Sequence, residues 1–191
     1  MQMEPWLSHR DKEMFYRYLD NCTVYFEYGS GGSTYQASSR DNVRKIYSAE
    51  SDIQWQNKLK RNIKNENITY IFSDMNTLPN SWGHPGKNAT DVQKINYSSR
   101  ITELSKEEQS AIDLVLIDGR FRVACCLKCH DVIKDNCVIA FDDFMNRSEY
   151  HVVLHHFNIV EKTKDNRMVI LKKKNHSVPR ELIAKYELIP R

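Results

Sequence analysis

Residues 24–34, Val-Tyr-Phe-Glu-Tyr-Gly-Ser-Gly-Gly-Ser-Thr, constrain this chain more than any other stretch. The apolar run predicts a buried strand at 23–28. Gly29, Gly31 and Gly32 then permit a sharp turn and let a ligand come within contact distance of the main chain. A helix is expected at 33–40. Strand, glycine turn and helix in that order open nucleotide-type binding sites. A dinucleotide fingerprint G-x-G-x-x-G counted from Gly29 needs glycine at position 34, where Thr34 stands. Glu27, just ahead of the turn, would repel a pyrophosphate but attract an amine or a sulfonium.

At 191 residues the chain is long enough for one full hydrophobic core, and 1–191 is read as a single domain. The hydrophobic fraction of 40% and charged fraction of 28% are those of an ordinary globular protein. No apolar run reaches the roughly 20 residues that cross a bilayer. The N-terminus, Met-Gln-Met-Glu-Pro-Trp, lacks a basic-then-apolar signal pattern. The expected location is the cytoplasm (the host's, if the chain is viral), with no membrane partner. A net charge of +3 gives no reason to expect nucleic acid, and the dense basic run at Lys172, Lys173 and Lys174 reads as a solvated strand end. Five cysteines, with Cys125, Cys126 and Cys129 crowded together, do not form a disulfide framework. Cys126, Cys129 and His130 suggest zinc, but no second ligand pair follows at finger spacing, so a reduced core helix is the reading.

Strand-like apolar runs fall at about 23–28, 44–49, 68–73, 112–118, 137–142, 156–161 and 167–172. Several are continuous rather than alternating, as in a parallel sheet covered on both faces. Helices are expected at about 9–20, 33–40, 51–61, 104–109, 121–133 and 147–155. The alternation predicts an α/β, doubly wound fold. The last two strands, with Asn166 and Arg167 before the second, read as a pair at the sheet edge. Residues 76–103 carry Pro79, Gly83, Pro85 and Gly86 and read as a long loop. Trp82, His84 and Tyr97 would make it an acceptor lid.

In open α/β sheets ligands sit beyond the carboxyl ends of the strands. The residues there are acidic in series: Glu27 before the glycine turn, Glu50 after the second strand, Asp74 after the third, Asp118-Gly119-Arg120 after the fourth and Asp142-Asp143 after the fifth. An acid after the second strand can accept both ribose hydroxyls, and one after the third can take an adenine amine. Any one of them is often only a cap or turn residue. The ordered set, with a cation-seeking acid at Glu27, points to S-adenosylmethionine.

These residues resemble the class I S-adenosylmethionine-dependent methyltransferases over about 20–172. Phe26-Glu-Tyr-Gly-Ser-Gly-Gly-Ser33 looks like their first motif, of the type E-x-G-x-G, with Ser33 where a third glycine is usual. Asp113-Leu-Val-Leu-Ile-Asp-Gly-Arg-Phe-Arg-Val-Ala124 is similar to a segment of a subgroup of small bacterial and viral O-methyltransferases, some of them glycan-modifying. Trp82-Gly-His-Pro85, Arg147 and Tyr150 look like further marks of that subgroup. The resemblance implies a Rossmann-like, seven-stranded, mostly parallel sheet with its last strand antiparallel. It implies that Glu27, Gly29, Ser30, Gly31 and Ser33 hold the methionine part, Glu50 and Ser51 the ribose, and Asp74 the adenine, with Asp118 bordering the cofactor.

For catalysis Asp118, Asp142, His84 and Arg120 are the candidates. Two uses of the acids compete. Asp118, Asp142 and Asp143 could bind Mg²⁺ or Mn²⁺, which would acidify an acceptor hydroxyl. Alternatively one acid, or His84, removes the hydroxyl proton without metal. Arg120 is expected at the site and Arg122 in a structural role. The expected acceptor is a small molecule or glycan, best matched by a sugar hydroxyl, with a phenol as the alternative. Aminopropyl transfer to a polyamine is a competing reaction, opposed by Lys87 and Lys94 in the loop. A silent binding module is the competing class. The Asn/Asp-Pro-Pro-aromatic motif of amino-group methylation is absent. The oligomeric state is not legible, and the chain would also suit a module of a larger enzyme.

Overall fold

The computed structural model describes residues 3–164 and 167–191. One sheet of seven strands has the order β3-β2-β1-β4-β5-β7-β6. The strands are β1 (Val24–Tyr28), β2 (Lys45–Glu50), β3 (Ile68–Phe72), β4 (Leu114–Ile117), β5 (Val138–Phe141), β6 (Phe157–Lys162) and β7 (Val169–Lys173). Strands β1 to β5 pair in parallel, while β7 is antiparallel to both β5 and β6. The seven expected strands are present. The expected edge pair is internally ordered so that β7 lies within the sheet and β6 forms the edge. Asn166, before that last strand, lies outside the described residues.

Helices cover both faces: α1 (His9–Leu19), α2 (Gly32–Ser38), α3 (Ile53–Asn62), α4 (Asp91–Ser99), α5 (Lys106–Ala111), α6 (Arg122–Cys129) and α7 (Arg180–Tyr186). The two-residue period of β1 divides the core. Phe26 and Tyr28 join the α6 side with Tyr97, Phe121 and Cys125. Tyr25 joins the α1 side with Phe15, Leu19 and Ala37. Glu27 shares the face of Tyr25, which brings it against α2. Burial of β4 is complete, as its unbroken Leu-Val-Leu-Ile run predicts. All five cysteines are free and buried. Three sit on α6, and burial pushes each of those thiols up, so the core-helix reading stands. Among the described residues no helix is long and apolar enough to cross a membrane.

Two expectations need correction. The stretch 76–103 is a loop only as far as Ala89. It continues as α4 and then a 3-10 turn, Arg100–Glu103. The cause is a capping box: Thr90 Oγ1 accepts from Gln93 N, and Gln93 Oε1 accepts from Thr90 N. Tyr97 lies on that helix and is buried, so it is part of the floor and no part of a lid. The expected helix at 147–155 is a 3-10 helix, Ser148–His155, and α7 was not anticipated.

Candidate functional site

The sheet order reverses between β1 and β4, whose carboxyl ends splay their loops apart. A cavity of about 660 Å³ opens there, within the range of small-molecule sites. Its floor is the glycine turn on one side and the Asp118-Gly119 turn on the other. The two turns press together. Gly29 has φ of 94°, and a Cβ there would lie 3.0 Å from Gly119 N. A Cβ on Gly119 would lie 2.0 Å from Tyr97 Oη. Over Gly31 the space is open, with only the Trp55 ring within 3.9 Å of an added Cβ. Glycine is therefore required at 29 and 119 by the fold, whereas at 31 it leaves room above the main chain.

The acids of this first half are held by hydrogen bonds. Glu27 is fully buried and does not line the cavity. Its carboxylate accepts from Tyr25 Oη at 2.9 Å, Ser33 Oγ at 2.6 Å, Ser48 Oγ at 2.6 Å and Thr34 Oγ1. Burial pushes its pKa up to about 7 against the pull of these hydroxyls. Glu27 thus braces the turn from below. Glu50 does line the cavity. Oε1 accepts from Ser51 N at 2.6 Å and Asp52 N at 2.8 Å, and Oε2 from Ser30 N at 3.2 Å. Burial raises its pKa while the three N–H groups lower it. Ser30 Oγ is 2.5 Å from Ser48 Oγ, and its carbonyl accepts from Trp55 Nε1 at 2.8 Å. Ser30, Gly31, Ser33 and Ser51 all border the cavity with Trp55.

The second half is built of acids and arginines. Arg122, buried, donates from Nε to Gly119 O, from Nη1 to Asp142 O and from Nη2 to Asp118 Oδ1 at 3.1 Å. Its Nη1 lies 3.7 Å from a carboxylate oxygen of both Asp142 and Asp143. Asp143, in a left-handed conformation with φ of 58°, accepts from Arg147 at 2.9 Å and Arg167 at 2.8 Å. Arg147 also donates to Tyr150 Oη at 2.9 Å. Asp142 is buried, its Oδ1 has no hydrogen-bond partner, and burial beside Asp118 pushes its pKa up to about 8. Asp118 is raised by burial and lowered chiefly by Arg122, with a further hydrogen bond from Asp142. Two neighbouring carboxyls in such surroundings hold one proton between them. Among the described residues no group of three or more His, Cys, Asp or Glu side chains is arranged to hold a metal ion.

The roof comes from two remote segments. Trp82 carbonyl accepts from Arg120 Nε at 2.8 Å, and Gly83 carbonyl accepts from Ser51 Oγ at 3.3 Å. These bonds tie the loop across both halves. Residues 3–6 cross the start of α2 so closely that a Cβ on Gly32 would lie 2.1 Å from Glu4 C. Gln36 Nε2 donates to Met3 O at 3.0 Å. The rings of Trp6 and Trp82 then meet edge to face, 6.1 Å between centroids.

The cavity thus gathers Gly29, Ser30, Gly31, Ser33, Glu50, Ser51, Asp118, Arg120, Asp142 and Asp143 of the expected site residues. Three others lie elsewhere. Glu27 is beneath the turn. Asp74 is exposed, with its carboxylate accepting from Asn76 N and Gln93 Nε2, which ties the loop to α4. His84 is exposed and does not line the cavity, and partial desolvation with the Arg120 charge lowers its pKa. Sequence reasoning missed Trp55, the 3–6 segment and the lining roles of Arg122, Arg147 and Arg167. Trp55 had a signal: a tryptophan on an otherwise polar helix just after an acid-ended strand. The 3–6 segment had none, because nothing local marks its return over Gly32.

No family model matches this chain, and no curated protein matches it. Solved structures do. A methyltransferase-like protein from Silicibacter pomeroyi superposes with a TM-score of 0.83 over 99% of both chains at 24% identity. The ribosomal protein L11 methylase of Lactobacillus delbrueckii subsp. bulgaricus gives 0.56 over 90% of this chain and 82% of that one at 10% identity. Spermidine synthase of Thermotoga maritima gives 0.51 over 92% of this chain and 62% of that one at 11% identity. At such identities the likeness is one of fold, and folds host several chemistries.

Proposed function

We propose that this chain is an S-adenosylmethionine-dependent methyltransferase acting on a hydroxyl group. The observation that carries the reading is the pairing of the open glycine turn at Gly29–Gly31 with the Glu50 carboxylate in one cavity at the sheet's switch point. The donor's own chemistry is a methyl group already activated by a sulfonium. The side-chain-free surface over Gly31 and the Trp55 ring suit a flat nucleoside. Glu50, fixed by three backbone N–H groups, keeps one lone pair, on Oε2, for a ribose hydroxyl. Tyr97 and the Gly119 main chain close the floor between the two halves.

The acceptor enters beneath Trp82, and Asp118 takes its hydroxyl proton. Burial makes Asp118 a stronger base than an exposed aspartate. Asp118 and Asp142 titrate as a pair, and the Arg122 guanidinium favours the ionised form at Asp118. The Arg122 guanidinium fixes Asp118 in place. Each of the three acids faces an arginine, so a divalent ion would have to displace Arg122 or its neighbours. The donor set therefore favours the metal-free use. Arginines in this half also disfavour a polyamine acceptor.

Transfer of isotope-labelled methyl from S-adenosylmethionine to a panel of sugars and phenols tests the reading. The expected outcome is a labelled ether on at least one hydroxyl compound, unaffected by a chelator. Label appearing only on nitrogen, or only after Mg²⁺ is added, would contradict it.

A further inference from the structure

Arg120 stands apart from the other three arginines of the cavity. Arg122 pairs with Asp118, Asp142 and Asp143, and Arg147 and Arg167 both pair with Asp143. Arg120 forms no ion pair among the described residues. Its side chain makes one hydrogen bond, from Nε to the Trp82 carbonyl at 2.8 Å. That bond fixes the guanidinium under the roof and leaves both terminal nitrogens unpaired. It lines the cavity partly buried, and the cations near it are Arg122 and Arg147. Burial and those like charges lower its pKa; the Asp118 carboxylate is near enough to feel the Arg120 charge but is paired with Arg122. A guanidinium held this way, beside other guanidiniums, is matched by a planar or tetrahedral anion taken up by two N–H donors.

We propose that Arg120 receives an anionic group of the acceptor, a carboxylate or phosphate, so that the substrate is an acidic or phosphorylated hydroxyl compound. This rests on the methyltransferase reading and narrows it. Assignment to the acceptor rather than to the donor's own carboxylate follows from the position. Arg120 rises from the Asp118 turn, its charged neighbours belong to the acid-arginine half, and its anchor is the roof under which the acceptor enters. Trp82 and Trp6, exposed at 72% and 81%, stand over that point and would shed water from it once an acceptor is bound.

The test is titration of inorganic phosphate and of glucuronate, at constant ionic strength and with saturating S-adenosylhomocysteine. Wild type, Arg120→Gln and Arg120→Lys are compared. At least one anion should bind wild type and bind Arg120→Gln about tenfold more weakly or worse, the scale of a lost charge-assisted pair. Lysine, which keeps the charge and loses the fork, should fall between. Affinity for S-adenosylhomocysteine should be the same in all three, and both variants should melt by the same few degrees below wild type, since each loses the bond to the Trp82 carbonyl. Failure of both anions to bind wild type, or equal binding by Arg120→Gln, would overturn the proposal. A matching loss of S-adenosylhomocysteine affinity in Arg120→Gln would assign the side chain to the donor and overturn it too. Should wild type not bind S-adenosylhomocysteine at all, the donor reading falls separately, and the anion titration without it still reports on Arg120.

Discussion

The two halves of the cavity hold their carboxylates by opposite means. Around the glycine turn, Glu27 and Glu50 are surrounded by hydroxyls and backbone N–H groups, seven donors with no cation among them. Across the Gly29–Gly119 contact, Asp118, Asp142 and Asp143 depend on arginines, and one oxygen of Asp142 is left with nothing. Neutral donors fix both carboxylates in place without adding charge, which suits a ligand of one fixed structure. Arginines against half-protonated acids leave a site whose charge can move, which suits proton transfer. On the proposed reading the first half binds and the second reacts.

That division can be broken by mutation. Asp118→Asn should lower methyl transfer by about 10²- to 10⁴-fold, the usual range for a general base, with S-adenosylhomocysteine affinity nearly unchanged. A calorimetric titration beside the activity assay would decide, since equal loss of binding would merge the halves. Gly119→Ala should damage both halves at once, because its Cβ would sit 2.0 Å from Tyr97 Oη and 3.1 Å from Gly29 N. Overpacking of this kind costs about 1–3 kcal/mol, or roughly 2–12 °C in melting temperature for a chain this size. A variant that melts and binds like wild type would show that the turns are not pressed together.

Asp142→Asn sharpens the comparison through pH. The folded pKa of Asp142 is pushed up to about 8, above the ordinary aspartate value, so the native state holds a proton that the unfolded chain releases. Stability should therefore fall as pH rises from about 4 through about 8. Glu27, raised to about 7, has the same sign and stays in both proteins. The drop in melting temperature between pH 5.5 and 9 should thus be smaller in Asp142→Asn than in wild type, by a few degrees. An unchanged drop would remove Asp142 from the shared-proton pair. The smallest effect belongs to Trp82→Ala. The Arg120 bond uses the main-chain carbonyl and survives, so KM for the acceptor should rise a few-fold with kcat little altered.

The contrast also explains what the sequence could reveal. Strand β1, its glycine turn and Glu50 are contiguous or one strand apart, and their apolar run, φ demand and strand-end acid are all local signals. Asp118, Asp142 and Asp143 were visible for the same reason. Their partners were not. Arg147 and Arg167 reach Asp143 from opposite ends of the 3-10 helix and β6, and no spacing encodes that meeting. Asp74 followed the strand-end rule but is taken up by Asn76 and by the Nε2 of Gln93, whose Oε1 closes the capping box at Thr90. The Thr-x-x-Gln signal of that box was present in the chain, and the prolines and glycines before it outweighed it.

The most direct test is calorimetric titration with S-adenosylhomocysteine of wild type and Glu50→Ala. Glu50 is buried against three backbone N–H groups and borders the open glycine turn. The account predicts micromolar binding by wild type and a loss of about tenfold or more in the variant, whose fold should survive at a cost of about 1–3 kcal/mol. No binding by wild type, or the same affinity in both proteins, would contradict it.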